Sequence, residues 1–204
     1  MRYLPELFAN NRAWATKRVS QNPQYFTRLC AIQTPRYLWI GCADSRVPAN
    51  EIVGLEPGEL FVHRNVANIV RADDLNCIAV LQYAIEFLGT TDVIVCGHYG
   101  CGGVQAALGA PVPKPLERWI APIREIRRSQ AADIDGRTDA DARWRRLCEL
   151  NVISQVRELS RLPILTSAWA KGRPLTVHGW IYDLHDGLLR DLDVSATQNT
   201  SEAA

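Results

Sequence analysis

Two short apolar runs constrain this chain most, because each is stopped by a glycine and followed by side chains that bind metals. Cys42 follows the run 37–40, and His98 follows the run 93–96 with Cys101 close behind it. Runs of this kind predict buried strands. In open α/β sheets, sites form at the carboxyl ends of the strands. The sequence therefore predicts that these three side chains meet at one end of a sheet.

The three side chains form a ligand set of a recognisable kind. Two thiolates and one imidazole suit Zn²⁺, and three protein ligands leave the fourth tetrahedral position for water, which the metal can acidify to hydroxide. The pair His98 and Cys101 alone would be weak evidence, since such pairs also arise by chance or as core residues. Together with Cys42 they favour an open, catalytic metal site.

Composition limits the class of protein. The chain has 204 residues, of which 47% are hydrophobic, so one domain spanning 1–204 with one core is expected. The 23 basic and 22 acidic residues leave a formal charge of +1. Such a balance gives no field for steering nucleic acid or an anionic membrane, and neither is expected as a partner.

The amino terminus carries Pro5 and Glu6 where a signal peptide would have its apolar core, and no apolar run is long enough to span a bilayer. A cytoplasmic location is therefore predicted, with the six cysteines as thiols. Besides the two proposed ligands, four of these cysteines lie in apolar patterns and are expected to pack in the core: Cys30, Cys77, Cys96 and Cys148.

Helical patterns predict an N-terminal arm over 1–33, with one helix from Leu4 to Val19 and a second that ends at Ile32. Further helices are predicted over 75–88, over 116–130 and over 139–160. Strands are predicted at 37–40, 60–63, 92–96 and 175–182, with the run 188–194 returning to the sheet. The small, polar residues 195–204 predict a frayed tail.

Two of these helices bear on function. The helix 75–88, which Asp73 and Asp74 precede, is apolar around most of its circumference, so it is expected to be buried against the sheet and a second subunit. Gly102 and Gly103 begin another helix directly after Cys101. Free amides at a helix start favour anions, which makes these two glycines candidates for binding substrate.

Asp44 lies two residues beyond Cys42 and can accept a hydrogen bond from a zinc-bound hydroxide, which would aim the hydroxide's lone pair. Arg46 can keep that carboxylate ionised through a two-pronged contact. The simpler interpretations are a surface ion pair of little consequence, or a structural zinc module in which Asp44 is a fourth ligand. The cationic partner argues against a permanently bound Asp44 without excluding it.

Three sequence blocks resemble the signatures of the β-class carbonic anhydrases: Cys-Ala-Asp-Ser-Arg at 42–46, His-Arg-Asn at 63–65, and His-Tyr-Gly-Cys-Gly-Gly at 98–103. Further blocks at 39–41, 55–62, 147–152 and 178–187 resemble the bacterial type II branch of that family. The resemblance extends over nearly the whole chain.

The resemblance implies a fold and an activity. The fold is α/β, with a mainly parallel central sheet flanked by helices and an N-terminal helical arm. The activity is the reversible hydration of carbon dioxide to bicarbonate and a proton by a zinc hydroxide, with one Zn²⁺ per subunit. The enzyme would be an obligate homodimer, often paired into a tetramer.

The resemblance also implies roles for individual residues. Cys42, His98 and Cys101 match the zinc ligands, and Asp44 and Arg46 match the catalytic pair. Gln33 matches a glutamine that reaches the substrate pocket of the neighbouring subunit.

A regulatory site is implied as well. Trp39, Arg64 and Tyr182 match the non-catalytic bicarbonate pocket of the type II branch. In that branch bicarbonate favours a closed state, in which Asp44 would leave Arg46 and bind the metal, and raised pH opens it.

Two other functions stay open at this stage. The same chemistry could serve a hydrolase of CS₂ or COS, and the metal could belong to a structural module without turnover. The remaining histidines, His63, His178 and His185, are expected to be structural rather than metal-binding.

Overall fold

A computed structural model of the chain describes residues 3–31 and 33–198. The chain divides between Thr34 and Pro35 into two compact units. The first contains the predicted arm, and the second contains the sheet and all other helices. Within the described residues, no helix is long and apolar enough to cross a membrane.

The arm consists of helix α1, Pro5–Gln21, and helix α2, Tyr25–Ala31. Asn22 separates them, and its side chain accepts a hydrogen bond from the N–H of Gln24 at 3.0 Å. Pro5 suits the first turn of α1, where a backbone donor has no partner to lose. The predicted end of the second helix at Ile32 lies outside the described residues. Cys30 is exposed, so its predicted place in the core is wrong.

The second unit is built on a five-stranded sheet of order β2-β1-β3-β4-β5. Its strands are β1, Tyr37–Cys42; β2, Leu60–Asn65; β3, Asp92–His98; β4, Thr176–Tyr182; and β5, Leu189–Asp191. The first four are mutually parallel, and only β5 runs antiparallel, beside β4. The predicted α/β class with a mainly parallel sheet is confirmed.

Helices cover the sheet. They are α3, Ala49–Ile52; α4, Leu75–Gln82; α5, Gly102–Leu108; α6, Leu116–Ser129; α7, Ala131–Asp135; α8, Ala140–Ser160; and α9, Pro163–Ala170. Alternate residues of the central strands pack into different clusters, as a period of two requires: Leu38 and Ile40 join one apolar cluster, and Trp39 joins another. Because β1 and β3 are covered on both faces, their carboxyl ends can place polar side chains in a protected position.

The helix predicted over 75–88 is present, but its winding changes along its length and one of its sides is exposed. It begins as expected, with the Asp74 side chain accepting from the N–H of Asn76, but from Tyr83 to Phe87 it winds as a π-helix. Its inner residues are fully buried, whereas Leu75 is 80% and Phe87 71% exposed. The side that packs on the sheet is buried as predicted, and the predicted burial of the other side against a second subunit stays a prediction. Apolar residues lie on both sides, and the sheet of the same chain can cover only one.

Strand β5, Leu189–Asp191, is shorter than the apolar run 188–194 predicts. Ala196 forms an isolated antiparallel bridge with Val177 through two backbone hydrogen bonds of 2.8 Å. The predicted tail thus begins inside a paired segment, and residues 199–204 lie outside the described part of the chain.

Candidate metal centre

The three predicted ligands meet at the carboxyl ends of neighbouring strands. Cys42 is the last residue of β1, His98 is the last residue of β3, and Cys101 directly precedes α5. Their ligand atoms all lie within 4.8 Å of one another. All three are buried, with 5% of Cys42 and 1% each of His98 and Cys101 exposed.

The geometry fits Zn²⁺. The Sγ atoms of Cys42 and Cys101 lie 3.8 Å apart. Two sulfurs bound to one tetrahedral zinc at about 2.3 Å would be separated by about 3.8 Å. The Nδ1 atom of His98 is 3.0 Å from the carbonyl oxygen of Tyr99, so it donates there and leaves Nε2 free for a metal. Among the described residues, Nε2 has no hydrogen-bond partner although it is buried.

The surroundings favour a thiolate at Cys42. Its Sγ atom accepts a hydrogen bond from the Cys101 thiol, and this contact lowers the pKa of Cys42 against the opposing effect of burial. His98 and the backbone N–H groups of Asp44 and Ala67 lower the pKa further. For Cys101 the same contact with Cys42, together with burial, raises the pKa, and the N–H of Val104 opposes this effect. Metal ligation requires thiolates, so the donors around Cys42 favour the form of that sulfur which binds a cation.

Asp44 and Arg46 form the predicted two-pronged pair. Arg46 Nε donates to Asp44 Oδ1 at 2.9 Å, and Arg46 Nη2 donates to Asp44 Oδ2 at 2.7 Å. This guanidinium holds the pKa of the Asp44 carboxyl well below its usual range. Asp44 Oδ2 also lies 3.7 Å from His98 Nε2, so the carboxylate borders the place where a metal would bind. Arg46 is anchored in turn by the carbonyl oxygen of Gly100 at 3.3 Å.

The two predicted glycines differ in their surroundings. A Cβ atom on Gly103 would lie 2.8 Å from Val66 Cγ1 and 3.1 Å from the Cβ of Ala67. Close packing therefore explains a glycine at 103 without any ligand. A Cβ on Gly102 would meet nothing within 4 Å, so packing does not explain that glycine.

Gln33 belongs to the first compact unit and is exposed there, in the chain that follows α2. Its predicted role concerns a neighbouring subunit and stays a prediction.

The three residues predicted to bind regulatory bicarbonate lie on three strands of the sheet, β1, β2 and β4. Trp39 is fully buried, and its indole lies over Gly41, where a Cβ would come within 2.2 Å of Nε1. Tyr182 packs against the same apolar cluster as Trp39. Arg64, opposite Gly41 in β2, donates to the carbonyl oxygens of Cys42 (2.8 Å) and Asp44.

The structure also shows supporting residues that the sequence did not reveal. Tyr99 is buried, its hydroxyl donates to Glu149 at 2.6 Å, and the Arg145 guanidinium lies 3.6 Å from the centre of its ring. Trp144 Nε1 donates to the carbonyl oxygen of Cys101 at 3.0 Å. Three of these four side chains come from α8. Helical periodicity predicts the helix and gives no indication of which polar residues face the site.

The other histidines and cysteines are not part of this ligand set, although Cys148 packs in the same buried cluster as Cys42 and Cys101. The ring of His178 contacts Asp92, and that of His185 contacts Asp183, each at 3.0 Å. His63 is buried, with Asn65 Nδ2 3.2 Å from its Nε2. Cys77, Cys96 and Cys148 are buried as predicted.

Comparisons with known proteins agree with this geometry. A family model described as carbonic anhydrase matches residues 37–189. A carbonic anhydrase of Emericella nidulans is 44% identical over 197 residues, which cover 95% of this chain and 86% of the relative. The Coccomyxa β-carbonic anhydrase superposes with a TM-score of 0.91 at 40% identity, covering 97% of this chain and 89% of that one.

A tetrameric β-carbonic anhydrase of Sordaria macrospora gives a TM-score of 0.91 at 38% identity, with 94% of this chain and 98% of the other covered. The chain therefore belongs to the β-class carbonic anhydrase family. It is a zinc enzyme, a carbonate dehydratase, as the sequence predicts.

Proposed function

We propose that this chain hydrates carbon dioxide reversibly with Zn²⁺ held by Cys42 Sγ, His98 Nε2 and Cys101 Sγ. The observation that carries this proposal is the buried set of two sulfurs and one free imidazole nitrogen, all within 4.8 Å. Zn²⁺, when bound there, is a Lewis acid that makes water a nucleophile near neutral pH.

The residues of the chain would orient this nucleophile. Asp44 accepts hydrogen bonds only, because Arg46 keeps it ionised, so a water beside it must donate to Oδ2 and turn a lone pair elsewhere. The pairing with Arg46 also argues against a purely structural module, since a fourth zinc ligand would need no guanidinium. The open backbone at Gly102 offers room for substrate beside Cys101.

Stopped-flow hydration of CO₂ with a pH indicator tests this function, on protein of known zinc content. Rapid turnover in the wild type, with Asp44→Asn slower by about 10²-fold at unchanged zinc content, would support it. Zinc-replete wild type without turnover would refute it. CS₂ and COS supplied as substrates to the same protein would then decide between a hydrolase and a structural module.

We further propose that bicarbonate inhibits the enzyme through Arg64, as in the type II branch. The guanidinium of Arg64 donates to the carbonyls of Cys42 and Asp44, so an anion that competes for it would release the loop carrying Asp44. The aromatic side chains of Trp39 and Tyr182 belong to one apolar cluster and would line the anion's site.

The test is inhibition by bicarbonate across neutral to alkaline pH. Arg64→Ala should lose the inhibition and flatten the pH profile, while Arg157→Ala, an exposed arginine on α8, should keep both. An Arg64→Ala enzyme that is inhibited as strongly as the wild type would contradict the proposal.

A homo-oligomer is proposed too, with a dimer as its unit. Leu75, Tyr83 and Phe87 leave an apolar surface that the sheet of the same chain does not cover, and a second copy is the occupant proposed for it. The tetrameric relative from Sordaria supports such an assembly. A cytoplasmic location remains a proposal from the sequence.

A further inference from the structure

The segment 65–70, directly after β2, has an unusual backbone. Ala67 has φ 63° and ψ 28°, and Asn68 has φ 47°. These angles lie in the left-handed region, which residues with a Cβ adopt rarely and at some cost. Both residues are also buried, at 0% and 1% exposure. Such a segment persists only where its surroundings hold it in place.

Two buried amides from α8 hold this segment. Asn151 Nδ2 donates to the carbonyl oxygen of Ala67 at 2.9 Å. Gln155, one turn further along the helix, donates through Nε2 to Asn151 Oδ1 at 2.9 Å and accepts from the N–H of Val70 at 2.8 Å. Both side chains are 1% exposed. The pair thus links the middle of the segment to its end from a buried position.

Other contacts fix the ends of the segment and leave its middle to Asn151. The side chain of Asn65 accepts from the N–H of Ile69 and donates to the carbonyl of Ile69, both at 2.8 Å. Trp119 Nε1 donates to the carbonyl of Val66 at 2.8 Å. Among the described residues, Asn151 is the side chain that donates a hydrogen bond to the carbonyl oxygen of Ala67.

The other side of Ala67 faces the metal centre. Ala67 packs in the same buried cluster as Cys42 and Cys101. Its Cβ atom stands 3.1 Å from the position that a Cβ on Gly103 would take, in the first turn after Cys101. One residue in a left-handed conformation therefore touches both halves of the centre, and its carbonyl is held by Asn151.

We propose that Asn151 is a positioning residue for the metal centre, which acts through the backbone of Ala67 to fix the packing around Cys42 and the position of Gly103. Gln155 orients Asn151 in this arrangement. The inference rests on the proposed zinc site. Groups that orient metal ligands from outside the coordination sphere commonly change affinity by about 10- to 100-fold, and this sets the size of effect to expect.

The first experiment measures the Kd for Zn²⁺ by competition with a chromophoric chelator, and the absorption spectrum after substitution by Co²⁺. Asn151→Ala should raise the Kd about 10- to 100-fold and alter the thiolate-to-Co²⁺ charge-transfer band. Leu159→Ala is the matched control, because Leu159 is fully buried on the same helix. It should lower Tm and leave Kd and spectrum unchanged.

A second variant tests the route through Ala67. Glycine adopts left-handed angles without support, so Asn151→Ala combined with Ala67→Gly should bind Zn²⁺ more tightly than Asn151→Ala alone. If Asn151→Ala does not fold, Asn151→Ser replaces it in both comparisons, since its shorter hydroxyl cannot make the same contact.

Three results would overturn the inference: a wild-type Kd and spectrum in the folded Asn151 variant, an equal loss of affinity in Leu159→Ala, or no recovery in the double variant. Kd is read without turnover. A wild type that binds Zn²⁺ yet hydrates no CO₂ would therefore defeat only the proposed function, while one that binds no Zn²⁺ would defeat both.

Discussion

The metal centre and the aromatic face contrast most clearly within the second compact unit, where the aromatic face consists of Phe61, Tyr83 and Phe87. The three candidate ligands are at most 5% exposed, and the groups around them find hydrogen-bond partners within the same chain. In the aromatic face, the rings of Tyr83 and Phe87 stack 5.5 Å apart, yet Tyr83 is 45% and Phe87 71% exposed. The first region is covered within one chain, and the second is left exposed.

This difference separates two parts of the activity. Zinc binding depends on atoms of one chain, so its affinity should not change with protein concentration. The proposed dimer would cover the aromatic face, and the predicted Gln33 would enter the substrate pocket from the other subunit. Turnover should therefore depend on assembly even where zinc content does not.

The largest effect is expected at the metal centre itself. Cys101→Ser replaces a thiolate by a hydroxyl that stays protonated at neutral pH, so Zn²⁺ loses one of three ligands. Since four-ligand structural sites bind zinc with roughly 10–16 kcal/mol in all, affinity should fall on the order of 10³-fold, and turnover should disappear. Equilibrium dialysis with metal analysis measures the loss. Cys77→Ser, at a buried thiol of α4, should keep its zinc, and full zinc occupancy in Cys101→Ser would disprove the ligand set.

The next largest effect is expected on assembly, with the affinity for Zn²⁺ unchanged. Phe87→Glu places a charge in the proposed contact, so the dimer should dissociate at about 10- to 100-fold higher concentration. Turnover per zinc should then fall on dilution while the Kd for Zn²⁺ remains constant. Sedimentation velocity and stopped-flow assays over a dilution series measure the two quantities. Leu188→Glu adds the same charge at a leucine that is 59% exposed in the β4–β5 turn, and it should change neither. A dimer unaffected by Phe87→Glu would remove the aromatic face from the interface.

The same contrast explains what the sequence could predict. Strand runs that end in Gly-Cys and Gly-His indicate both the parallel sheet and the three ligands, because strand direction alone brings their carboxyl ends together. Asp44 and Arg46 follow from spacing, since two residues beyond a ligand the carboxylate must lie near it. These are local consequences of chain order.

Features that depend on tertiary packing could not be predicted in this way. The left-handed angles at Ala67 carry no signal in the sequence, because alanine there is held by Asn151 from a helix 84 positions away. The helix that begins at Leu75 is apolar on more than one side, and this pattern does not say which side the sheet covers and which is left exposed. The prediction that Cys30 packs in the core was wrong because its apolar neighbours belong to the arm.

A moderate effect on stability is expected beside the metal centre. Burial of Asp183 opposes its ionisation, but hydrogen bonds from the His185 backbone N–H, from Arg145 and from the His185 ring outweigh it and lower the pKa of Asp183. A depressed pKa contributes stability that is fully present above the pKa of the unfolded carboxyl, about 4, and is lost progressively as pH falls from there through the pKa of the folded state. Arg145→Met should therefore cost about 2 kcal/mol near pH 7, and the deficit should shrink below pH ~4.

Urea unfolding of both proteins from pH 7 to pH 3 measures this deficit. Arg143→Met, at an exposed arginine of α8, should show little change at any pH. A deficit in Arg145→Met that stays constant down to pH 3 would mean that the arginine stabilises the fold through its contact with the Tyr99 ring rather than through Asp183.

The smallest effect is expected at the start of the helix that carries the aromatic face. The side chain of Asp74 accepts from the N–H of Asn76 at 3.1 Å and so caps α4. Asp74→Ala should cost about 1 kcal/mol, and Asp74→Asn, which retains an acceptor, only a fraction of that. For a chain of this size the loss corresponds to a fall in Tm of about 2–4 °C by calorimetry. Because the cap supports the aromatic face and no ligand of the metal centre, the Kd for Zn²⁺ should stay at its wild-type value. If Asp74→Ala weakened zinc binding, the two regions would be coupled through α4, and the independence of metal binding from assembly would have to be given up.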